Sequence, residues 1–331
     1  MRARILEELR ELRRDRRAVL VLVALPVLAL VVFGCAAGFF PGAVRAAVVG
    51  PLAATTGPAL PEFFEVVVTA PEDTRAEAER RVRDDEVDVA FVASGSAITT
   101  VALVDGSDLF AAQSSIAVLN KISGAVRPEV LFNPELKTSW VLVPAIIGLI
   151  VTFVGLIVTG IGLRRQTGAP EESAAGGRSG VVLGEIAPYF LLTALELIAV
   201  TVFGLLLFGV PFTGSVLVFA VGAAIFVFLV VCLGALITSV ARTTGRVVQV
   251  TLVFLLVQIV LSGMIFPLDA MAAGVRWIGY LLPLTYFTMI AQGVMLRGAP
   301  LTSLWLPLLV LMVMAAVVVR FRRDPRAATD R

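Results

Sequence analysis

Six long, almost uncharged apolar runs lie along this chain: Ala18 to Phe40, Trp140 to Leu163, Ile186 to Val210, Ser215 to Val240, Val247 to Phe266 and Leu301 to Val319. Each reaches the roughly 20 residues needed to cross the hydrocarbon core of a bilayer. About a hundred acidic and polar residues separate the first run from the second. The pattern predicts a membrane all-α protein with six transmembrane helices and an external domain between the first two. Residues 1–17 precede the first span at 18–40, residues 41–139 form the external domain, and residues 140–331 carry the five further spans.

Between the spans the pattern changes period. EVVVTA (Glu65 to Ala70), VDVAFVA (Val87 to Ala93) and ITTVALVD (Ile98 to Asp105) read as β-branched strands. The charged stretch Thr74 to Glu86 between the first two predicts a helix capped by Thr74, hence one βαβ unit. A second helix is expected over Asp108 to Val126, leading back to the membrane. The first seventeen residues place Ile5, Leu9 and Leu12 at helical spacing against arginine and glutamate. They read as an amphipathic helix in the interface, or as a positive topology signal with no further role.

From Pro267 to Pro300 the chain is apolar but interrupted by Pro283 and by Gly274, Gly279, Gly293 and Gly298. That is too broken for an ordinary span and too apolar for a free loop, so a re-entrant helical pair over 267–300 is expected. The alternative is a seventh span, Trp277 to Leu296, which would put the arginines of the C-terminal tail on the other side of the membrane.

Charge fixes the expected orientation. Arginines cluster in the N-terminus, after the second span (Arg164, Arg165, Arg178), after the fourth (Arg242, Arg246) and in the tail (Arg320, Arg322, Arg323, Arg326). With six crossings all four clusters share one side, and the positive-inside rule puts both termini in the cytoplasm of a bacterial-type plasma membrane. The first run is long and lacks a small-residue cleavage pattern, which favours an uncleaved span over a removed signal peptide. Hydrophobic residues make up 58% of the 331, a fraction far above that of soluble domains and consistent with lipid as solvent.

Several chemistries are excluded. With no histidine in the chain, His-based acid–base catalysis, the Ser-His-Asp triad and the HExxH zinc site all fail. Lys121 and Lys137, the only lysines, follow Asn and Leu rather than the glycine of a phosphate-binding loop. Cys35 and Cys232 sit in different apolar runs and offer no metal spacing. The acidic segment 41–139 argues against a nucleic-acid surface. No cofactor is expected to bind directly.

The polar punctuation of the chain is more specific. ELRRDRRAVLVLVALPVLALVVFG, RRVRDDEVDVAFVA, ALVDGSD, LFNPELKTSWVLVPAIIGLI, LGALITSVARTTGRVVQ, SGMIFPLDAM (Ser262 to Met271) and LPLTYF (Leu282 to Phe287) follow one another in order. This succession resembles the permease subunits of type-2 ABC exporters along nearly the whole chain. The resemblance implies a six-span subunit with an interfacial N-terminal helix and a re-entrant pair before the last span. It also implies two such subunits, a homodimer or a pair with a second permease, driven by ATP in separate ATPase chains. In those permeases a cytoplasmic loop with a Gly-Thr-Leu-Glu core and an apolar helix seats on the ATPase.

Here that loop, 164–182, departs from the pattern. Arg165, Gly168, Glu171 and Glu185 can be laid on it, and Arg165, Gly168, Glu171 and Glu172 are the candidates for ATPase contact. Pro170 replaces the leucine, however, and AAGGRSG (Ala174 to Gly180) replaces the apolar turn. Glycine costs a helix about 1 kcal/mol and proline about 3. The partner therefore contacts the loop differently, couples poorly, or relies on a second permease.

Glu196 is the only acid within the six runs. A carboxylate at such depth costs at least about 2.5 kcal/mol, so it packs as a neutral hydrogen-bonding group, attracts a cation in the pathway, or moves a proton. Gln249, Gln258 and Thr251 are further polar candidates for pathway or packing, and Phe266 with Pro267 sits where an external gate would be. The aromatic residues near span ends, such as Trp140, Trp277, Tyr280 and Trp305, suit membrane interfaces. Two functions follow: an exporter permease moving an amphiphilic small molecule or lipid, or a membrane scaffold or sensor whose external domain binds a partner.

Overall fold

The computed structural model describes residues 43–93, 100–122, 126–166, 178–241, 243–265 and 267–323. The expected interfacial helix 1–17, the first run 18–40, Cys35, loop residues 167–177, Arg242, Phe266 and the tail beyond residue 323 lie outside the described residues.

The polar segment folds as an α/β unit around a five-stranded sheet. Its strands are β1 (Val44–Val49), β2 (Phe64–Ala70), β3 (Val89–Val92), β4 (Thr100–Asp105) and β5 (Val126–Leu131). Their spatial order is β2-β1-β3-β4-β5, with only the β3–β4 pair antiparallel. Helix α1 (Arg75–Arg83) follows β2, and α2 (Leu109–Leu119) follows β4. Two cores result, one on each face of the sheet. Ala46, Val48, Phe64 and Phe91 pack with Ala112 and Leu119 of α2, while Ala47, Val49, Ala90 and Leu103 pack with Ala78 and Val82 of α1. Phe91 is fully buried, and such a ring contributes about 3–5 kcal/mol when compared with alanine.

Three expectations need correction here. The strands flanking α1 are not neighbours, because β1 lies between them and pairs in parallel with both. The helix expected to run to Val126 ends at Leu119, and a strand begins at Val126. Thr74 occupies the N-cap position of α1, but its side chain makes no capping bond.

The rest of the described chain is helical. Helices α3 (Thr138–Gln166), α4 (Arg178–Phe208), α5 (Val216–Val240), α6 (Thr244–Leu261) and α9 (Leu301–Arg323) correspond to the last five apolar runs. Among the described residues these five are long and apolar enough to cross a membrane. The interval before α9 holds two short helices, α7 (Ala273–Gly279) and α8 (Pro283–Gln292), followed by a π turn, Gly293–Arg297. No single helix runs from Trp277 to Leu296, so the alternative of a seventh span fails. Pro283 starts α8 where its missing N–H costs nothing, and Gly298 closes the π turn with φ 63°, the left-handed region that favours glycine.

α3 is the hub of the bundle, packing against α4, α5, α6 and α8. Within lipid the hydrophobic effect does not drive helices together, so close approach does the work, and small residues permit it. Gly148 seats Phe287 and Leu284 of α8, Gly155 meets Thr193 and Val230, Gly160 meets Val247, and Gly162 lies under the Tyr189 ring. Phe287 in turn stacks on Phe226 of α5, with centroids 4.3 Å apart.

Candidate functional site

The α/β unit meets the helices at a cavity of about 660 Å3. Its walls come from β1, the start of α2, the N-terminal turns of α3, the segment after α6, and α7 with α8. Turn chemistry builds this junction. Buried Asn133 donates through Nδ2 to the carbonyls of Gly106 and Lys137, each at 3.2 Å, and accepts the Lys137 N–H at 2.9 Å. That knot fixes the exit of the sheet to the entry of α3. Gln292 at the end of α8 donates to the Val141 carbonyl at 2.9 Å, and Thr213 donates to the carbonyls of Met295 and Leu296, both at 3.1 Å. The turn between α4 and α5 thus holds the π turn.

A chain of alternating charges runs through the junction. Asp88 accepts from Arg45 at 2.7 Å, and Arg45 reaches Asp85 at 3.3 Å. Arg297, from the π turn, lies 3.2 Å from Asp85 and 3.4 Å from Asp105. The Arg297 side chain is only 8% exposed and that of Asp105 only 4%. A guanidinium so desolvated is tolerable because two carboxylates face it. Asp85 adopts φ 62°, a left-handed conformation that aspartate tolerates better than most residues, at the turn leaving α1.

Burial raises the Asp105 carboxyl above the usual carboxylate range, while Arg297 and the Ser107 hydroxyl and N–H pull it back. Asp108 caps α2 by accepting the N–H groups of Phe110 at 2.9 Å and Ala111 at 3.0 Å. Burial nevertheless pushes its carboxyl up to about 6, against the lowering effect of those bonds.

Of the residues singled out in the sequence, Pro267 lines this cavity. Gln258 lies outside its wall, fully buried, and its Oε1 accepts the Leu284 N–H at 3.2 Å, capping α8 from α6. Thr251 is buried with no hydrogen-bond partner for its hydroxyl among the described residues, whereas Gln249 is exposed. Glu196 lies in α4, and its buried Oε1 finds no partner among the described residues. Arg165 lies in the last turn of α3, and Gly168, Glu171 and Glu172 lie outside the described residues. Helix α4 already begins at Arg178, so Ser179 and Gly180 are helical despite their composition.

The charged chain Asp88–Arg45–Asp85–Arg297–Asp105 was not anticipated as a site. A partial signal existed: Asp105 and Asp108 belong to the ALVDGSD segment, and Arg297 is a lone basic residue beside the apolar run that opens at Leu301.

The profile of a family described as "ABC-2 family transporter protein" matches residues 17–321. Among curated proteins, the chain is similar to "Probable multidrug ABC transporter permease YbhS" of Escherichia coli (strain K12), 28% identical over 172 residues covering 50% of this chain and 46% of that one. "Probable multidrug ABC transporter permease YbhR" from the same strain is 26% identical, over 56% of this chain and 51% of that one. "Inner membrane transport permease YhhJ", also of that strain, is 29% identical, over 58% of this chain and 54% of that one. The chain spans about half the length of these curated relatives in the matched regions. No solved structure matches.

Proposed function

Because this chain belongs to the ABC-2 family of transporter proteins, we propose that it is the membrane-spanning permease subunit of an ATP-driven exporter that moves amphiphilic small molecules or lipids out of the cytoplasm. The observation that carries this reading is the half-open cavity of about 660 Å3, within the range that takes drug-sized ligands, between the helices and the α/β unit. The names of two relatives, multidrug permeases, point the same way.

In this reading the α/β unit is external, both termini are cytoplasmic, and α7 with α8 is a re-entrant pair capped from α6 by Gln258. In the most apolar stretches of α4 and α9 only 22% of the residues are buried, which leaves apolar faces for lipid, the first span and a second permease copy. ATP hydrolysis belongs to separate chains, since this sequence has no Gly-Lys phosphate loop. Arg165, Gly168, Glu171 and Glu172 are the residues that would meet the ATPase.

Co-purification with the partner ATPase tests the division of labour. Joint charge reversal of Arg165 and Glu171 is expected to weaken the complex more than reversal of Arg326 in the tail. Equal effects, or no complex at all, would favour a scaffold or sensor, a reading that the glycine-rich loop 174–180 already supports.

A further inference from the structure

The cavity wall is not neutral. It carries five carboxylates, those of Glu65, Asp85, Asp88, Asp105 and Asp108. Against them stand three guanidiniums, Arg45, Arg276 and Arg297. Arg45 and Arg297 are each shared between two aspartates, and together they engage Asp85, Asp88 and Asp105. Among the described residues, neither Asp108 nor Glu65 pairs with a basic side chain.

Two hydroxyls in the same wall have unmet hydrogen-bonding capacity. Ser262, after α6, is 2% exposed and Thr288, on α8, is 6% exposed. Neither oxygen has a hydrogen-bond partner among the described residues. A buried hydroxyl left unbonded costs free energy that a ligand or water polar group can recover. Beside these polar groups the helix side of the wall presents the apolar side chains of Val141, Leu142, Ile265 and Met289.

We infer that this cavity is a binding site for an organic cation: an amphiphile whose charged head sits against the acidic wall, where Asp108 and Glu65 carry the charge that no arginine engages, whose polar atoms meet Ser262 and Thr288, and whose apolar body lies against α3 and α8. The acidic excess selects against anions of the same shape, because a like charge brought into a half-enclosed cavity is repelled with little screening. The inference rests on the exporter reading only for the direction in which the ligand travels. The site itself stands on the wall chemistry.

Binding of tetraphenylphosphonium to the full chain in phosphatidylcholine nanodiscs tests it, with empty nanodiscs as the partition blank and no ATPase present. Tetraphenylborate, of the same shape and opposite charge, is the control. Saturable phosphonium binding, at least about tenfold tighter than any borate binding, is expected. Asp108→Asn keeps the helix cap and Glu65→Gln lies on an exposed strand position, so the double variant should fold and bind the phosphonium about tenfold more weakly. Tetraphenylphosphonium has no hydrogen-bonding group, so Thr288→Val should leave its binding within about twofold, whereas dodecylammonium, whose N–H groups can meet the hydroxyl, should bind the same variant about threefold more weakly. Equal binding of the two ions, or phosphonium binding unchanged in the double variant, overturns the site. Cation binding without ATP-driven transport would leave the site standing and remove the exporter reading, and transport of the phosphonium unaffected by the double variant would do the reverse.

Discussion

The α/β unit and the helix bundle are held together by opposite means. In the unit, both faces of a sheet bury aliphatic residues, and the outer surface is crossed by ion pairs such as Arg80 with Glu77 and Arg81 with Asp73. Water drives that burial. The bundle carries few charges and instead fits side chains into glycine notches along α3. Losing an ion pair at an aqueous surface costs little, whereas removing one buried guanidinium where the two regions meet costs much, because it strands buried carboxylates. The comparison therefore assigns Arg297 more weight than all the exposed pairs of α1.

The sharpest way to break that contrast is Arg297→Met, which strands Asp105 without its cation and should cost about 3–5 kcal/mol. Thermal unfolding of the purified chain would read it. Adding Asp105→Asn should recover more than half of the loss, a coupling that independent sites would not show. Next in size is the notch: Gly148→Ala pushes a methyl group into the Phe287 ring and should cost about 1–3 kcal/mol. By contrast Val67→Ile, half-exposed on β2, should change stability by less than about 0.5 kcal/mol.

Asp108 supplies a pH test confined to the α/β unit. Its carboxyl is raised from 3.8 to about 6 in the folded chain, so the folded state holds its proton more tightly than the unfolded one. Stability from this group is full below about pH 4 and declines as pH rises through 6. Asp108→Asn should abolish that decline and raise stability at pH 7.5 by about 1–2 kcal/mol, after discounting for the carboxyl's partial exposure. Denaturant unfolding at pH 4.5 and 7.5 would measure it. A small effect also belongs to the exposed pair of Arg75 with Glu79, where Arg75→Gln should cost less than about 1 kcal/mol, falling further in salt.

What was legible in the sequence follows the same division. The five described apolar runs became helices, and the glycines and Pro283 marked the break between α7 and α8, because long uncharged runs and prolines act locally. Strand β1 escaped notice because it is buried on both faces and so lacks alternation. Strand β5 escaped because Pro128 reads as a breaker, although an edge strand tolerates it. The charged chain at the junction left only a partial local signal, since nothing in the sequence pairs its members. Arg297 lies 192 positions from Asp105 and 212 from Asp85, and only the fold brings them within 3.4 Å.

The central claim, that this chain moves amphiphiles outward using a partner's ATP hydrolysis, is tested most directly in inverted membrane vesicles. Vesicles holding the chain with its ATPase should accumulate a lipophilic cation when ATP is added, and those holding either chain alone should not. Accumulation that is equal with and without ATP, or absent from a stable and assembled complex tested with both cationic and lipid probes, would contradict the claim.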